Sequence, residues 1–381
     1  MPQEKLLLIP GPSPVVPRIL DVLARPTVSH VGPDMVRDLK EARANLKEIV
    51  FCEEGEPFIV AGAGTLAMEM AVLNTAGPGD RVLVLSQGYF GDRMAQVCRA
   101  FGVAHDVLAS EWGRAVTPAE LEARLKTKSY NVVACTHVDT STGACAPVED
   151  YGQVLEKTGS LFIVDGVCAT GGIAERMDAW GIDVVLTAAQ KCLGAPPGLA
   201  ILVLSELAME KRRSLPAVPA YYADLMRWLP IMQDPARYFS TPCVNELRAF
   251  AEATRIVLEE GLEERFERHD LHAAALRAGL ADLGFGFFTD PDFLAPTLSV
   301  VRYPEGVDDQ AFRAGLSDNG VIVAGGLAAT AGQVFRMGHM GNLTSADVRF
   351  AIEAVERTLA GLGRKIRPGS GREAVEGVLK A

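Results

Sequence analysis

Leu161-Phe162-Ile163-Val164-Asp165 and Val184-Val185-Leu186-Thr187-Ala188-Ala189-Gln190-Lys191 are the two stretches that decide the reading of this chain. Each is an apolar, β-branched run followed by a charged side chain. Runs of this kind form strands buried on both faces of a parallel sheet. Open α/β sheets bind ligands outside the carboxyl ends of such strands, where Asp165 and Lys191 stand. An amine that condenses with an aldehyde and a carboxylate that keeps a pyridine nitrogen protonated are the groups that pyridoxal phosphate chemistry needs from a protein. Taken singly, a lysine after a strand is a solvated loop residue, and an aspartate there caps the next helix. The weight therefore falls on the rest of the chain.

Working outward, Met35 to Val50 has a helical pattern, Phe58-Ile59-Val60 predicts a strand, Leu66 to Asn74 a helix, Arg81 to Leu85 a strand and Arg93 to Phe101 a helix. Asn131 to Cys135 is another strand, Tyr151 to Thr158 the helix before the Asp165 strand, and Leu199 to Leu204 the strand after the lysine loop. This alternation over residues 55 to 210 implies a mostly parallel sheet covered on both faces. The texture changes near Pro242. Asn245 to Leu280 reads as a connecting helix followed by another, and Leu298 to Val301 and Val334 to Met337 read as strands. With helices at Asp308 to Ser317 and Ser345 to Leu359, they predict a smaller α+β domain. Pro10-Gly11-Pro12-Ser13-Pro14 is a stiff arm fit to lie across a surface, and Arg364 to Ala381 reads as a loosely held tail.

The 381 residues carry 48 acids against 37 lysines and arginines, a formal net charge of -11. That balance, without a basic stripe, argues against nucleic acid as a partner. No apolar run is long enough to predict a membrane span, and no secretory leader is visible, so the cytoplasm is the expected location. The seven cysteines are scattered without CxxC spacing and read as free thiols, and the six histidines form no HxxxH pair, so no metal is expected.

Four more segments sit at predicted strand ends or inside a strand. Gly62-Ala63-Gly64-Thr65 joins a strand to a helix, where backbone N–H groups and a hydroxyl can hold a phosphate. It is not GxGxxG, which weakens a dinucleotide reading. Gly88-Tyr89-Phe90-Gly91-Asp92-Arg93 offers two aromatic rings in a glycine-bounded loop, for stacking on a flat heterocycle or for core packing. Thr140, Ser141 and Thr142 bring hydroxyls suited to a phenolic oxygen or to a helix cap. Arg336, between Phe335 and Met337, is either a carboxylate fork or a strand arginine with its head at the surface.

In this order the motifs resemble the class V aminotransferases of fold type I, within them the alanine–glyoxylate and serine–pyruvate group. The resemblance runs from Pro10-Gly11-Pro12 to about Leu359 through Ala61 to Thr65, Gly88 to Arg93, His137 to Gly143, Val164 to Val167 and Gln190-Lys191. It implies a mostly parallel seven-stranded sheet sandwiched by helices, with an N-terminal arm (1–20), a large cofactor-binding domain (21–245) and a small C-terminal α+β domain (246–381). It also implies pyridoxal 5'-phosphate held as an imine on Lys191, which also moves the substrate Cα proton, with Asp165 on the pyridine nitrogen. Phe90 would stack on the ring. Ala63, Gly64, Thr65 and Gln190 would line the phosphate, and Thr140 would sit near the ring oxygen. Tyr238 and Thr241 would enter the phosphate pocket of a neighbouring subunit, which implies a homodimer with shared sites. Arg336, helped by the backbone at Gly11, would grip the substrate α-carboxylate.

Ala169 and Ala63 stand where the family often has serine, and His30-Val31-Gly32-Pro33 departs from its usual histidine–arginine pair. These departures leave the amino donor open. The reaction expected is transamination between a small L-amino acid, alanine or serine, and glyoxylate or pyruvate. The rivals are a lyase, a desulfurase using Cys192 or Cys243, a transaminase for another donor such as a phosphonate, and an NAD-linked or non-enzymatic binding protein.

Overall fold

The β-branched runs are strands in the computed structural model, which describes residues 5–380. The first four residues of the expected arm and the last of the expected tail lie outside that range. The chain opens with β1 (Leu6–Leu7). It then builds one sheet from β2 (Glu56–Ala61), β3 (Arg81–Ser86), β4 (Ala104–Ala109), β5 (Val132–Thr136), β6 (Leu161–Asp165), β7 (Val184–Ala188) and β8 (Leu199–Leu204). The spatial order is β2-β8-β7-β6-β5-β3-β4. Strands β3 to β7 run parallel, and β8 is antiparallel to both β7 and β2. Every residue of β5, β6 and β7 is buried, as central strands must be when helices pack over both faces.

Strand β4 escaped the sequence reading for a physical reason. It is an edge strand, pairing only with β3, and its half-exposed Ala-His-Asp-Val-Leu-Ala lacks a clean apolar pattern. Several helices also begin earlier than expected, among them those at Gly64 rather than Leu66 and at Tyr89 rather than Arg93. Phe90 therefore lies in a first helical turn and not in a free loop.

A second sheet, ordered β12-β13-β10-β9, is antiparallel. It comprises β9 (Gly286–Phe287), β10 (Leu298–Arg302), β12 (Ala324–Gly325) and β13 (Val334–Gly338), while β11 (Val321–Ile322) pairs with β1. Phe285, Phe312, Phe335 and Tyr303 meet edge-on or tilted at 5.2–5.7 Å in its core, where helices Leu262–Asp282 and Ser345–Gly361 cover it. A third buried cluster joins the two cores: Val138, Cys168, Ala169 and Cys192 from the parallel strand ends against Leu298, Val300, Val334 and Met340. This cluster brings β13 over the carboxyl edge of the large sheet.

The expected loose tail is instead a helix, Ser370–Leu379, packed against helices Leu262–Asp282 and Ser345–Gly361. Val375 is fully buried. The Glu356 carboxylate accepts the N–H groups of Gly369, Gly371 and Arg372 at 3.1, 2.8 and 3.2 Å, so the cap that the tail lacks locally comes from a different helix. No helix among the described residues is long and apolar enough to cross a membrane.

Candidate active site

Parallel pairing sets Thr136 beside Asp165 and Asp165 beside Leu186, so the ends of β5, β6 and β7 share one edge. Asp165 is 2% exposed, and its Oδ1 accepts the Val167 N–H at 3.0 Å. Burial pushes its carboxyl up to about 7; the Val167 N–H pulls it down, Asp139 and Glu175 push it further up, and Lys191 pulls it down. A buried carboxyl so poor in donors fits a ligand that brings a cationic N–H.

Lys191 follows β7 in a turn, and its Nζ donates to the carbonyl of Pro10. The arm crosses this turn closely. Ser13 Oγ donates to the Lys191 carbonyl at 2.7 Å and Ser13 N–H to that of Gln190 at 3.0 Å. Gly11, at φ 89°, leaves the space that the lysine occupies: a Cβ there would fall 2.3 Å from Lys191 Cδ. The arm thus meets the lysine directly.

Helix Gly64–Thr75 begins over the same edge. A Cβ on Gly64 would lie 3.1 Å from Val167 Cγ2 and 3.5 Å from the Cβ of Ala188. Its N-cap, Ala63, makes no side-chain cap bond, and the first turn holds no acid. Ala63 and Thr65 are exposed, so the N–H groups of this turn are open to an anion. Gln190 Oε1 is buried without a hydrogen-bond partner among the described residues. These features fit a phosphate-bearing group.

Phe90 is held by a residue the sequence reading did not single out. Asp139, fully buried, accepts the N–H groups of Phe90 at 2.9 Å and Gly91 at 3.3 Å through one oxygen, and Ser141 N–H at 2.9 Å through the other. Ser141 Oγ in turn accepts the Tyr89 N–H at 3.0 Å. The cap of helix Tyr89–Ala100 therefore arrives from the loop after β5. Only the Asp-x-Ser spacing of Asp139 and Ser141, common in turns, hinted at it.

Arg336 reaches this edge from β13. It is 9% exposed, its Nε donates to the Gly325 carbonyl at 2.8 Å and Nη1 to the Thr140 carbonyl at 3.3 Å. No carboxylate pairs with it among the described residues, and burial draws its pKa down from the usual arginine value. A buried guanidinium without an anion is expensive unless a ligand supplies one. Thr140 also hydrogen-bonds Cys168 Sγ through its hydroxyl, at 2.9 Å.

Tyr238 and Thr241 stand apart from this group. Tyr238 is 67% exposed with its ring 5.6 Å from that of His30, and Thr241 is exposed. The desulfurase candidates are poorly placed: Cys192 is fully buried, its thiol against the Cys168 carbonyl at 3.5 Å, and Cys243 is half-buried at a helix start. A cavity of about 650 Å³ lies elsewhere, between the turn before β3, the turn before β4 and Leu215–Pro219. That is the amino end of β3 and β4, whereas Asp165 stands at the carboxyl end of β6.

The chain is similar to known proteins over nearly its whole length. The family profile described as aminotransferase class-V matches residues 19–352. Alanine–glyoxylate aminotransferase 1 of Saccharomyces cerevisiae is 34% identical over 88% of this chain and 91% of its own length. L-aspartate–glyoxylate aminotransferase of Paracoccus denitrificans is 31% identical over 99% of this chain and 96% of its own. The crystal structure of ureidoglycine–glyoxylate aminotransferase from Bacillus subtilis superposes with a TM-score of 0.94 at 29% identity, covering 100% of this chain and 99% of that one.

Proposed function

We propose, starting from the fact that this chain belongs to the class V aminotransferase family, that it transfers the amino group of a small L-amino acid, alanine or serine, to glyoxylate or pyruvate. The observation that carries the reading is a buried arginine without an anion, Arg336, facing the strand edge where Asp165 and Lys191 meet. Pyridoxal phosphate, the cofactor, supplies an aldehyde for the lysine and a ring that accepts the electrons of the substrate Cα–H bond.

In this reading the protein's own groups divide the work. Lys191 Nζ would hold the aldehyde of the cofactor and, as a free amine, would take up the proton from the substrate Cα. Asp165 would be kept ionised by a cationic ring N–H and would hold that proton on the ring. Phe90 covers the ring face. The N–H groups of Ala63, Gly64 and Thr65, with Gln190, hold the phosphate. Thr140 would lie near the ring oxygen, and Arg336, with the Gly11 backbone, would grip the α-carboxylate. Orientation by Arg336 sets Cα–H for removal.

All three relatives named above transfer to glyoxylate but differ in donor, which supports glyoxylate as acceptor more strongly than any one donor. Buried Cys168 and Ala169, both small, favour a small donor side chain. Exposed Tyr238 and Thr241 support a homodimer in which each subunit completes its neighbour's phosphate pocket. Seven unpaired thiols favour the cytoplasm. The test is a half-reaction screen: L-amino acids are added to the aldehyde form, loss of the visible band is followed, and glyoxylate, pyruvate or 2-oxoglutarate is then used to restore it. Alanine or serine with glyoxylate should complete the cycle. Fast turnover of aspartate with silence toward alanine, serine and glyoxylate would overturn the assignment.

A further inference from the structure

Arg93 is half-buried and, among the described residues, pairs with no carboxylate. Its guanidinium lies 4.8 Å from the Phe90 ring centroid and 5.0 Å from that of Tyr89. One of its five N–H donors is used within the chain, Nη1 to Thr65 Oγ1 at 3.3 Å. Thr65 belongs to the uncapped first turn of helix Gly64–Thr75. A full positive charge beside the positive end of a helix dipole is electrostatically unfavourable on its own. The arrangement becomes favourable when an anion lies between the two. No acidic side chain of the first turn supplies one.

We propose that Arg93 is the counter-charge of the cofactor phosphate, acting with the N–H groups of the Gly64 turn. The proposal rests on the reading of that turn as the phosphate cradle. Stacking on Phe90 gives Arg93 a second consequence, since one side chain then ties the ring that covers the cofactor to the anion that anchors it.

The test titrates cofactor-free protein with pyridoxal phosphate and, separately, with pyridoxal, which lacks the phosphate, following the visible imine band. Arg93→Met keeps apolar contact with the two rings and removes the charge, and Arg93→Lys restores the charge without the planar fork. Pyridoxal phosphate affinity should fall about tenfold or more in Arg93→Met, with part of it regained in Arg93→Lys. Pyridoxal affinity should stay within about twofold. The affinity of the wild type should also weaken more steeply with salt than that of Arg93→Met. Equal losses for both aldehydes would reduce Arg93 to a packing residue and overturn the proposal. Unchanged cofactor affinity with a raised KM for aspartate, but not for alanine, would overturn it in favour of a side-chain carboxylate on the donor. If the wild type itself takes up no pyridoxal phosphate, the reading of the whole site fails and this proposal with it.

Discussion

Asp165 and Arg336 are both buried ionisable groups, and each yields a prediction. The Asp165 carboxyl is raised from the usual aspartate range to about 7 by burial. Between the unfolded value near 4 and this one, the folded, cofactor-free protein binds more protons than the unfolded chain. Its stability therefore falls as pH rises through that window. Asp165→Asn removes this dependence. Thermal unfolding of cofactor-free protein at the two ends of the window should show the variant gaining on the wild type at the alkaline end, by no more than about 4 kcal/mol. No relative gain would show that Asp165 is already ionised without the cofactor. Arg336→Ala should raise KM for alanine by roughly ten- to a hundredfold, the worth of charge-assisted hydrogen bonds, while stability shifts by about 1 kcal/mol or less. Loss of fold together with loss of binding would instead mark Arg336 as a structural strand residue. Lys191 and Asp165 were legible in the sequence because β-branched runs deliver them to strand ends. Asp139 was not, because its partners Phe90 and Gly91 lie far from it along the chain and only the packing of β5 against β3 brings them together.

Secondary structure was most legible where local pattern and burial agree. The central strands carry their own signal, whereas the edge strand β4 and the helix Ser370–Leu379 do not. That helix starts in a glycine- and charge-rich stretch, and what fixes it is a carboxylate on another helix. Glu356→Ala should lower stability by about 1 kcal/mol, the usual worth of a helix cap, and Val375→Ala by about 1–3 kcal/mol. Equilibrium unfolding in denaturant measures both. If both variants match the wild type, the tail contributes nothing to the fold. The start of helix Tyr89–Ala100 teaches the same lesson. Glycines at 88 and 91 read as a loop, yet Gly91 is a packing residue whose Cβ would fall 2.7 Å from Ser86 Cα.

For the whole molecule the expected assembly is a pair, because Tyr238 and Thr241 lie apart from Lys191 within one chain. Sedimentation should give twice 40.7 kDa. A sharper measurement mixes inactive Lys191→Ala with a Tyr238→Ala, Thr241→Ala double variant after exchange of subunits. One site of each mixed dimer would then hold an intact lysine and an intact tyrosine, and activity should exceed that of either parent. No recovery in verified mixed dimers would place the two residues outside the shared site. The arm has a further consequence for the molecule as a whole. Leu6 and Leu8 donate to the carbonyls of Gly320 and Ile322, Gly338 donates back to Leu8, and Ser13 is bonded to the Gln190–Lys191 turn. It is a tie-rod anchored at one end to the β-structure around β11 and β13 and at the other to the Gln190–Lys191 turn. A protease that severs the rod should therefore free the Pro10 carbonyl from Lys191 and silence the chemistry while most of the core stays folded.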